Sequence, residues 1–174
     1  MVSVFANPKE ILANHLALKR NMLAADFGCG SGEWAAAVAE IVEHGKVYAI
    51  DLLEEPLSAA RSRARVAGLE NIEFVKGDIE KLVPRLRADS LDLVLMTNLL
   101  FQVKDKKAVF EEAKRVLKSG GKILVIDWKN GIAIGPAEKL SQEAVKEFAA
   151  QSGFGLIDEF AAANFHYGLV FEKL

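Results

Sequence analysis

The amino-acid sequence predicts an α/β fold: a doubly wound, seven-stranded, mostly parallel sheet that ends in an antiparallel hairpin. Three observations predict it. Short runs rich in Ile, Val and Leu alternate with amphipathic helical stretches from about residue 22 onward, the pattern of repeated strand–helix–strand crossovers. A glycine-rich turn, Asp26-Phe27-Gly28-Cys29-Gly30-Ser31-Gly32, follows the first run and opens the helix after it. The last two runs have only Ala161–His166 between them, too short for a crossover helix, so they pair as a hairpin.

In chain order, residues 1–20 read as a leading helix around Ile11, Leu12, His15, Leu16 and Leu18, packed on the domain or covering its cleft. The strand-like runs are Met22–Phe27, Lys46–Ile50, Ile72–Val75, Leu91–Met96 and Lys122–Ile126, several nearly continuous in apolar residues, as strands covered on both faces should be. Trp34, Val38, Ile41 and Val42 form one buried stripe on the first crossover helix. Pro56 suits a first helical position, and Gly68 stops the helix carrying Leu57, Ala60, Ala64 and Ala67. Asp105 caps a helix with the stripe Val109, Ala113, Val116 and Leu117, which Ser119-Gly120-Gly121 ends. Ser141 caps the last helix, which shows Ala144, Val145, Phe148 and Ala149 and stops near Gly153. Leu156–Phe160 and Tyr167–Glu172 close the chain. No repeat, low-complexity stretch or linker interrupts it, so residues 1–174 read as a single domain.

Composition narrows the function classes. The chain has 174 residues, 51% of them apolar and 26% charged, enough to bury a core without staples. A formal net charge of −2 gives no global field toward nucleic acid or anionic lipid. Cys29 is the one cysteine, which excludes a disulfide framework and a zinc cluster of paired thiols, and no metal is expected. The apolar start, Met1–Ala6, lacks a basic stretch and is interrupted by Asn7-Pro8-Lys9-Glu10, unlike a signal peptide. No uncharged apolar run nears the ~18 residues of a membrane span. A soluble cytoplasmic protein without a membrane partner is expected.

The turn at 26–32 carries the most information. Glycines at alternate positions let the backbone curve sharply and leave no Cβ between it and a ligand. Free N–H groups and the positive end of the following helix dipole suit an anionic group. A dinucleotide fingerprint needs a small sixth residue for close helix packing around a pyrophosphate. Here that place is Glu33, followed by Trp34, and a carboxylate beside two phosphates is electrostatically wrong. Asp51, closing the second run, sits where it accepts hydrogen bonds from two ribose hydroxyls, facing the loop across a nucleoside-sized gap. Gly77-Asp78-Ile79, after the third run, offers a carboxylate to the exocyclic amine of adenine and an apolar neighbour to the ring face. A turn acid is the ordinary alternative for Asp78.

Together these residues resemble the class I S-adenosylmethionine-dependent methyltransferases, which have a Rossmann-like fold. Asp26-x-Gly28-x-Gly30-x-Gly32 looks like their first motif, Asp51 like the ribose-binding acid with Leu52 flanking adenine, and Asp78-Ile79 like the adenine-reading pair. Leu91-Asp92-Leu93-Val94-Leu95-Met96-Thr97-Asn98 looks like the fourth strand and the motif beside the reacting centre. Val116-Leu117-Lys118-Ser119-Gly120-Gly121-Lys122-Ile123-Leu124 looks like the passage into the fifth, and the terminal hairpin matches that fold's antiparallel seventh strand. The resemblance implies S-adenosylmethionine as cofactor, bound by Asp26, Gly28, Cys29, Gly30, Gly32, Asp51, Leu52, Asp78, Ile79 and Thr97. Asp26 would order the loop by accepting N–H bonds or meet the cofactor's ammonium through water. Cys29, although near a helix N-terminus where thiol pKa values fall, reads as a small loop residue.

Departures from the family narrow the acceptor. Enzymes acting on amino groups of adenine or cytosine, or on glutamine amides, carry an Asn/Asp-Pro-Pro-aromatic run where this chain has Thr97-Asn98-Leu99-Leu100-Phe101. The resemblance is closest to small methyltransferases of the quinone-biosynthesis and arsenite-methylating type, and holding arsenite needs several thiols. A small-molecule acceptor attacked in line with the S–CH3 bond is therefore expected. A sulfonium methyl is already electrophilic, so a base is needed only if the acceptor must lose a proton. Asn98, Asp127 and His166 are the candidates for such a role. Trp128 could wall the acceptor pocket and Asn130–Pro136 could close over it, although an aromatic at a strand end is commonly core. Lys104, Lys106 and Lys107 cluster beside the expected acceptor mouth, where RNA or another anion would need cations. A solvated helix start is the ordinary reading. The rival readings are a nicotinamide-dependent oxidoreductase, opposed by Glu33 and the hairpin, and a cofactor-binding scaffold without turnover.

Overall fold

In the computed structural model, which describes residues 6–174, helix α1 (Pro8–His15) precedes the alternation β1 (Leu23–Phe27), α2 (Glu33–Ile41), β2 (Lys46–Asp51), α3 (Glu54–Val66) and β3 (Ile72–Lys76). The chain continues through β4 (Leu91–Thr97), α4 (Lys106–Val116), β5 (Leu117–Trp128), α5 (Gln142–Gln151), β6 (Phe154–Ala161) and β7 (His166–Lys173). The strands form one seven-stranded sheet in the order β3-β2-β1-β4-β5-β7-β6. Neighbours from β3 to β5 are parallel, whereas β7 runs antiparallel to both β5 and β6. The order reverses between β1 and β4, the position where sheets of this kind bind ligands at their strand carboxyl ends.

Side-chain alternation along the strands builds two apolar layers. Ala24, Leu93, Leu95, Leu124, Ile126 and Val170 pack with Leu12 of α1, Val38 of α2 and Leu57 of α3. Ala25, Phe27, Val94, Met96, Val125 and Leu169 pack on the other face with Val109 and Phe110 of α4 and Val145 of α5. Covering both faces is what made the central runs continuously apolar in sequence. The expected caps form: Asp105 accepts from the Ala108 N–H at 2.9 Å and Ser141 from the Ala144 N–H at 3.2 Å. No helix among the described residues is long and apolar enough to cross a membrane.

Four local expectations are corrected. The leading helix spans only Pro8–His15, because Leu16 turns extended and is buried; residues 1–5 lie outside the described residues. Pro56 occupies the third position of α3 rather than the first, where an N–H still has no intrahelical acceptor to lose. α4 ends at Val116, since buried Leu117 already pairs with Leu91. Register then jumps to Leu93 with Lys122, so Ser119-Gly120-Gly121 forms an irregularity inside β5 instead of a helix stop.

The link from β3 to β4, residues 77–90, contains no helix, unlike the crossovers before and after it. Ile79, Val83 and Leu86 nonetheless enter the core. Glu112 of α4 accepts from the Val83 N–H at 2.9 Å, and Arg115 grips the same carboxylate at 2.6 and 2.7 Å.

Candidate active site

β1 delivers the chain into the glycine loop with φ values of 69°, 52° and 78° at Gly28, Gly30 and Gly32, all in the left-handed region. The glycines have different reasons to be bare. A Cβ at Gly28 would lie 2.6 Å from Leu99 Cδ1, and one at Gly32 would lie 2.7 Å from Ala60 Cβ, so these two admit the neighbouring elements. A Cβ at Gly30 would meet nothing within 4 Å. The Cys29 N–H donates to the Ile50 carbonyl at 2.8 Å, fastening the loop to the end of β2. Arg63 of α3 donates from Nε to the Ser31 carbonyl at 3.0 Å and steadies the far side.

Loop and acid face each other, but no gap separates them. The Gly30 N–H donates to Asp51 Oδ2 at 3.0 Å, and the Leu53 N–H donates to Oδ1 at 3.1 Å. A carboxylate offers about four lone-pair directions, so two remain for a ligand. Leu52, beside it, is 59% exposed. The Gly77 N–H donates to the Asp51 carbonyl at 3.0 Å, which brings the start of the β3–β4 link alongside. Asp78 there is engaged by its own turn: Oδ1 accepts from the Glu80 N–H at 3.0 Å and Oδ2 meets Lys81 Nζ at 2.9 Å. That lysine holds the Asp78 carboxyl below the usual carboxylate range. Ile79 is buried in the core cluster with Ile50 and Val83.

Asp26 is fully buried, and neither carboxylate oxygen has a hydrogen-bond partner among the described residues. It therefore does not order the loop by accepting its N–H groups, one of the two roles expected of it. Burial pushes its carboxyl up to about 7; the backbone N–H of Ala35, nearby but outside hydrogen-bond geometry, offsets only part of this, and Asp51 adds to the rise. A buried polar group left unpaired costs about 1–3 kcal/mol, a cost the fold carries beside the glycine loop. Burial and the same two carboxylates push the Cys29 thiol up as well, so no thiolate forms there.

Toward the acceptor side, Thr97 is buried at the end of β4 and pairs with Ile126. Asn98 turns into the left-handed region at φ 50°, a conformation asparagine tolerates better than most residues. Its N–H donates to the Ile126 carbonyl at 2.7 Å, and its Oδ1 is buried without a partner among the described residues. Asp127 is fully buried and accepts from the Leu100 N–H at 3.2 Å and the Trp128 N–H at 2.8 Å. It pins the segment after β4, and burial raises its carboxyl to about 6.

His166 begins β7 opposite Trp128, with ring centroids 4.2 Å apart. It is 4% exposed, and neither ring nitrogen has a partner among the described residues. Burial first, and the Lys129 charge second, depress its pKa below the ordinary value, which favours neutral imidazole. Lys129 donates to the Ala163 and Asn164 carbonyls at 3.0 and 3.1 Å and so fixes the turn before β7. Gly135 lies against the indole, where a Cβ would come within 2.5 Å of it. The pleat places Asp26, Thr97, Trp128 and His166 on the sheet face that α1 and α2 cover.

Sequence reasoning missed Arg63 and Leu99. Arg61, Arg63 and Arg65 alternate along α3 and spread around it, so only the packing of α3 on the loop selects Arg63. Leu99 had no signal beyond its place one residue after Asn98.

The model of a family described as methyltransferase domain matches residues 18–162. A demethylmenaquinone methyltransferase from Oceanobacillus iheyensis is 34% identical over 113 residues, 64% of this chain and 47% of that protein. One from Bacillus cereus is 31% identical over 119 residues, 68% and 49% respectively. The chain thus spans about half the length of the curated relatives it matches. A SAM-dependent methyltransferase from Aquifex aeolicus superposes with a TM-score of 0.88 at 26% identity, covering 97% of this chain and 90% of that one. The [4+2]-cyclase SpnF superposes at 0.80 with 17% identity over 95% and 80%, a likeness of fold alone. The matched span takes in β1–β6 with the glycine loop, Asp51 and Asp127, and on that match the chain belongs to the methyltransferase-domain family.

Proposed function

We propose that this chain takes the methyl group of S-adenosylmethionine and passes it, by in-line displacement, to a small aromatic acceptor of the hydroquinone type. The observation that carries the donor half is the glycine loop, with its bare Gly30 toward open space and its N–H bonded to Asp51. The two unused lone-pair directions of Asp51 suit the two ribose hydroxyls, and exposed Leu52 offers an apolar flank to the base. The carboxylate of Asp26, buried at the end of β1 without a partner among the described residues, would meet the ammonium of the methionine portion through water. The donor supplies a methyl that is electrophilic without further activation. The chain's own work is to hold the acceptor in line with that methyl and to keep water out.

The hydroquinone assignment draws on the curated relatives named for demethylmenaquinone, whose ring is a hydroquinone when reduced. It is supported by the aromatic wall of Trp128 and the unpartnered imidazole beside it. The test begins with S-adenosylhomocysteine, which should raise Tm where NADH does not; at 100 times Kd the ligand adds about 2.7 kcal/mol. Asp51→Asn, which keeps an acceptor for the loop N–H, should lose most of that shift. Labelled methyl transfer to a reduced 1,4-naphthoquinol then tests the acceptor. An unchanged shift in the Asp51 variant, or a larger one with NADH, refutes the donor assignment.

A further inference from the structure

We infer that His166 is the proton-accepting residue of the acceptor site, placed to receive the hydroxyl proton of a hydroquinone as its ring carbon takes the methyl. The inference rests on the proposed reaction and names the group that serves it. Three observations lead to it. His166 is 4% exposed, and neither ring nitrogen has a partner among the described residues, so the described fold leaves an imidazole buried without using either nitrogen for its own structure. It pairs in register with Trp128 and touches that indole, the aromatic surface on which a planar acceptor can lie. It also stands two strands from Thr97, about 10 Å across the sheet and on the same face, at the end of the sheet where β1 and β4 part.

The antiparallel course of β7 is what puts it there. Parallel strands reach the ligand-binding edge with their carboxyl ends, and β7 reaches it with its first residue. Of the other candidates, Asp127 is engaged by the Leu100 and Trp128 N–H groups. Asn98, although its Oδ1 is unpartnered among the described residues, carries an amide that takes up no proton near neutral pH. Lys129 nearby is engaged by the Ala163 and Asn164 carbonyls. Neutral imidazole has one nitrogen free to accept a proton. As the ring carbon attacks, its electron pair forms the C–CH3 bond, the S–CH3 bond breaks, and that bond's electrons remain on sulfur to give S-adenosylhomocysteine. The hydroxyl proton passes to imidazole. Tautomerisation of the methylated ring moves its hydrogen from carbon to oxygen, and imidazolium releases one proton to water.

The test compares wild type with His166→Phe and His166→Ala, using S-adenosylmethionine and 1,4-dihydroxynaphthalene under reducing conditions. A residue kept for chemistry at the expense of the fold predicts that His166→Phe holds or raises the Tm while kcat/KM falls about 100-fold. Both variants should keep the Tm shift with S-adenosylhomocysteine, since the donor half is untouched. Added imidazole should restore part of the rate to His166→Ala, a rescue that a packing role does not produce. Wild-type turnover in His166→Phe, or loss of rate only in proportion to lost folding with no rescue, overturns the assignment and leaves the proposed reaction standing. A wild type that binds S-adenosylhomocysteine but does not methylate the naphthoquinol overturns the hydroquinone reading and this role with it.

Discussion

At the scale of single residues, the fold buries polar groups that have no partner among the described residues. Asp26 is the clearest case, with its carboxyl pushed from 3.8 up to about 7 by burial. The native chain keeps the proton between those values while the unfolded chain has released it. Stability therefore falls as pH climbs from about 4 to 7 and is level above. Asp26→Asn has no proton to lose. The variant is expected to match wild type near pH 4 and to exceed it at pH 8 by on the order of 2–4 kcal/mol in urea melts. Equal stability at pH 8 would mean that charged Asp26 is already compensated. The sequence disclosed Asp26 and His166 as candidates through position and type. Their missing partners arise from strands far apart along the chain, beyond the reach of a local pattern. The glycine loop was legible because its meaning is carried by neighbours one and two residues apart. Asp51 was legible as its counterpart, although the direct bond that closes the expected gap depends on how far β2 reaches past β1.

Among elements, strands and capped helices were readable where apolar period and cap agreed, as at α4 with Asp105 or α5 with Ser141. The errors fell where tertiary contacts override local preference. Ser119-Gly120-Gly121 looks like a helix terminator, yet Leu117 leaves α4 early to pair with Leu91. The link at 77–90 carries buried Ile79, Val83 and Leu86 without a helix to present them. Glu112 does the fastening, and it sits on another element entirely. Glu112→Ala would strand the buried Val83 N–H and leave the part-exposed Arg115 guanidinium without its carboxylate, and a loss of about 1–3 kcal/mol is expected from denaturant melts. Glu112→Gln, which keeps an oxygen for Val83, should lose less. A loss within 0.5 kcal/mol for the alanine variant, the range usual at ordinary surface sites, would show that the link is held by its apolar contacts alone.

For the molecule as a whole, the sheet order orders the stabilities. β1, β4 and β5 have strands on both sides and helices or links on both faces, whereas β3 and β6 are edges. Amide hydrogen exchange should be slowest in β4 and β5, faster in β3 and β6, and fastest in the segment at 129–141, which belongs to no helix or strand. Protection of β6 equal to that of β4 would point to a partner on that edge. The fold class, with its terminal hairpin, was legible because hydrophobic period and loop length act over the whole chain at once.

The reversed course of β7 has a further consequence. Everything assigned to the donor lies before residue 98, and the aromatic and imidazole groups at the other end of the crevice lie after residue 127. The groups proposed to hold donor and acceptor therefore sit on separate stretches of one chain, so substitutions at Trp128 or His166 should alter methyl transfer while leaving S-adenosylhomocysteine binding as in wild type.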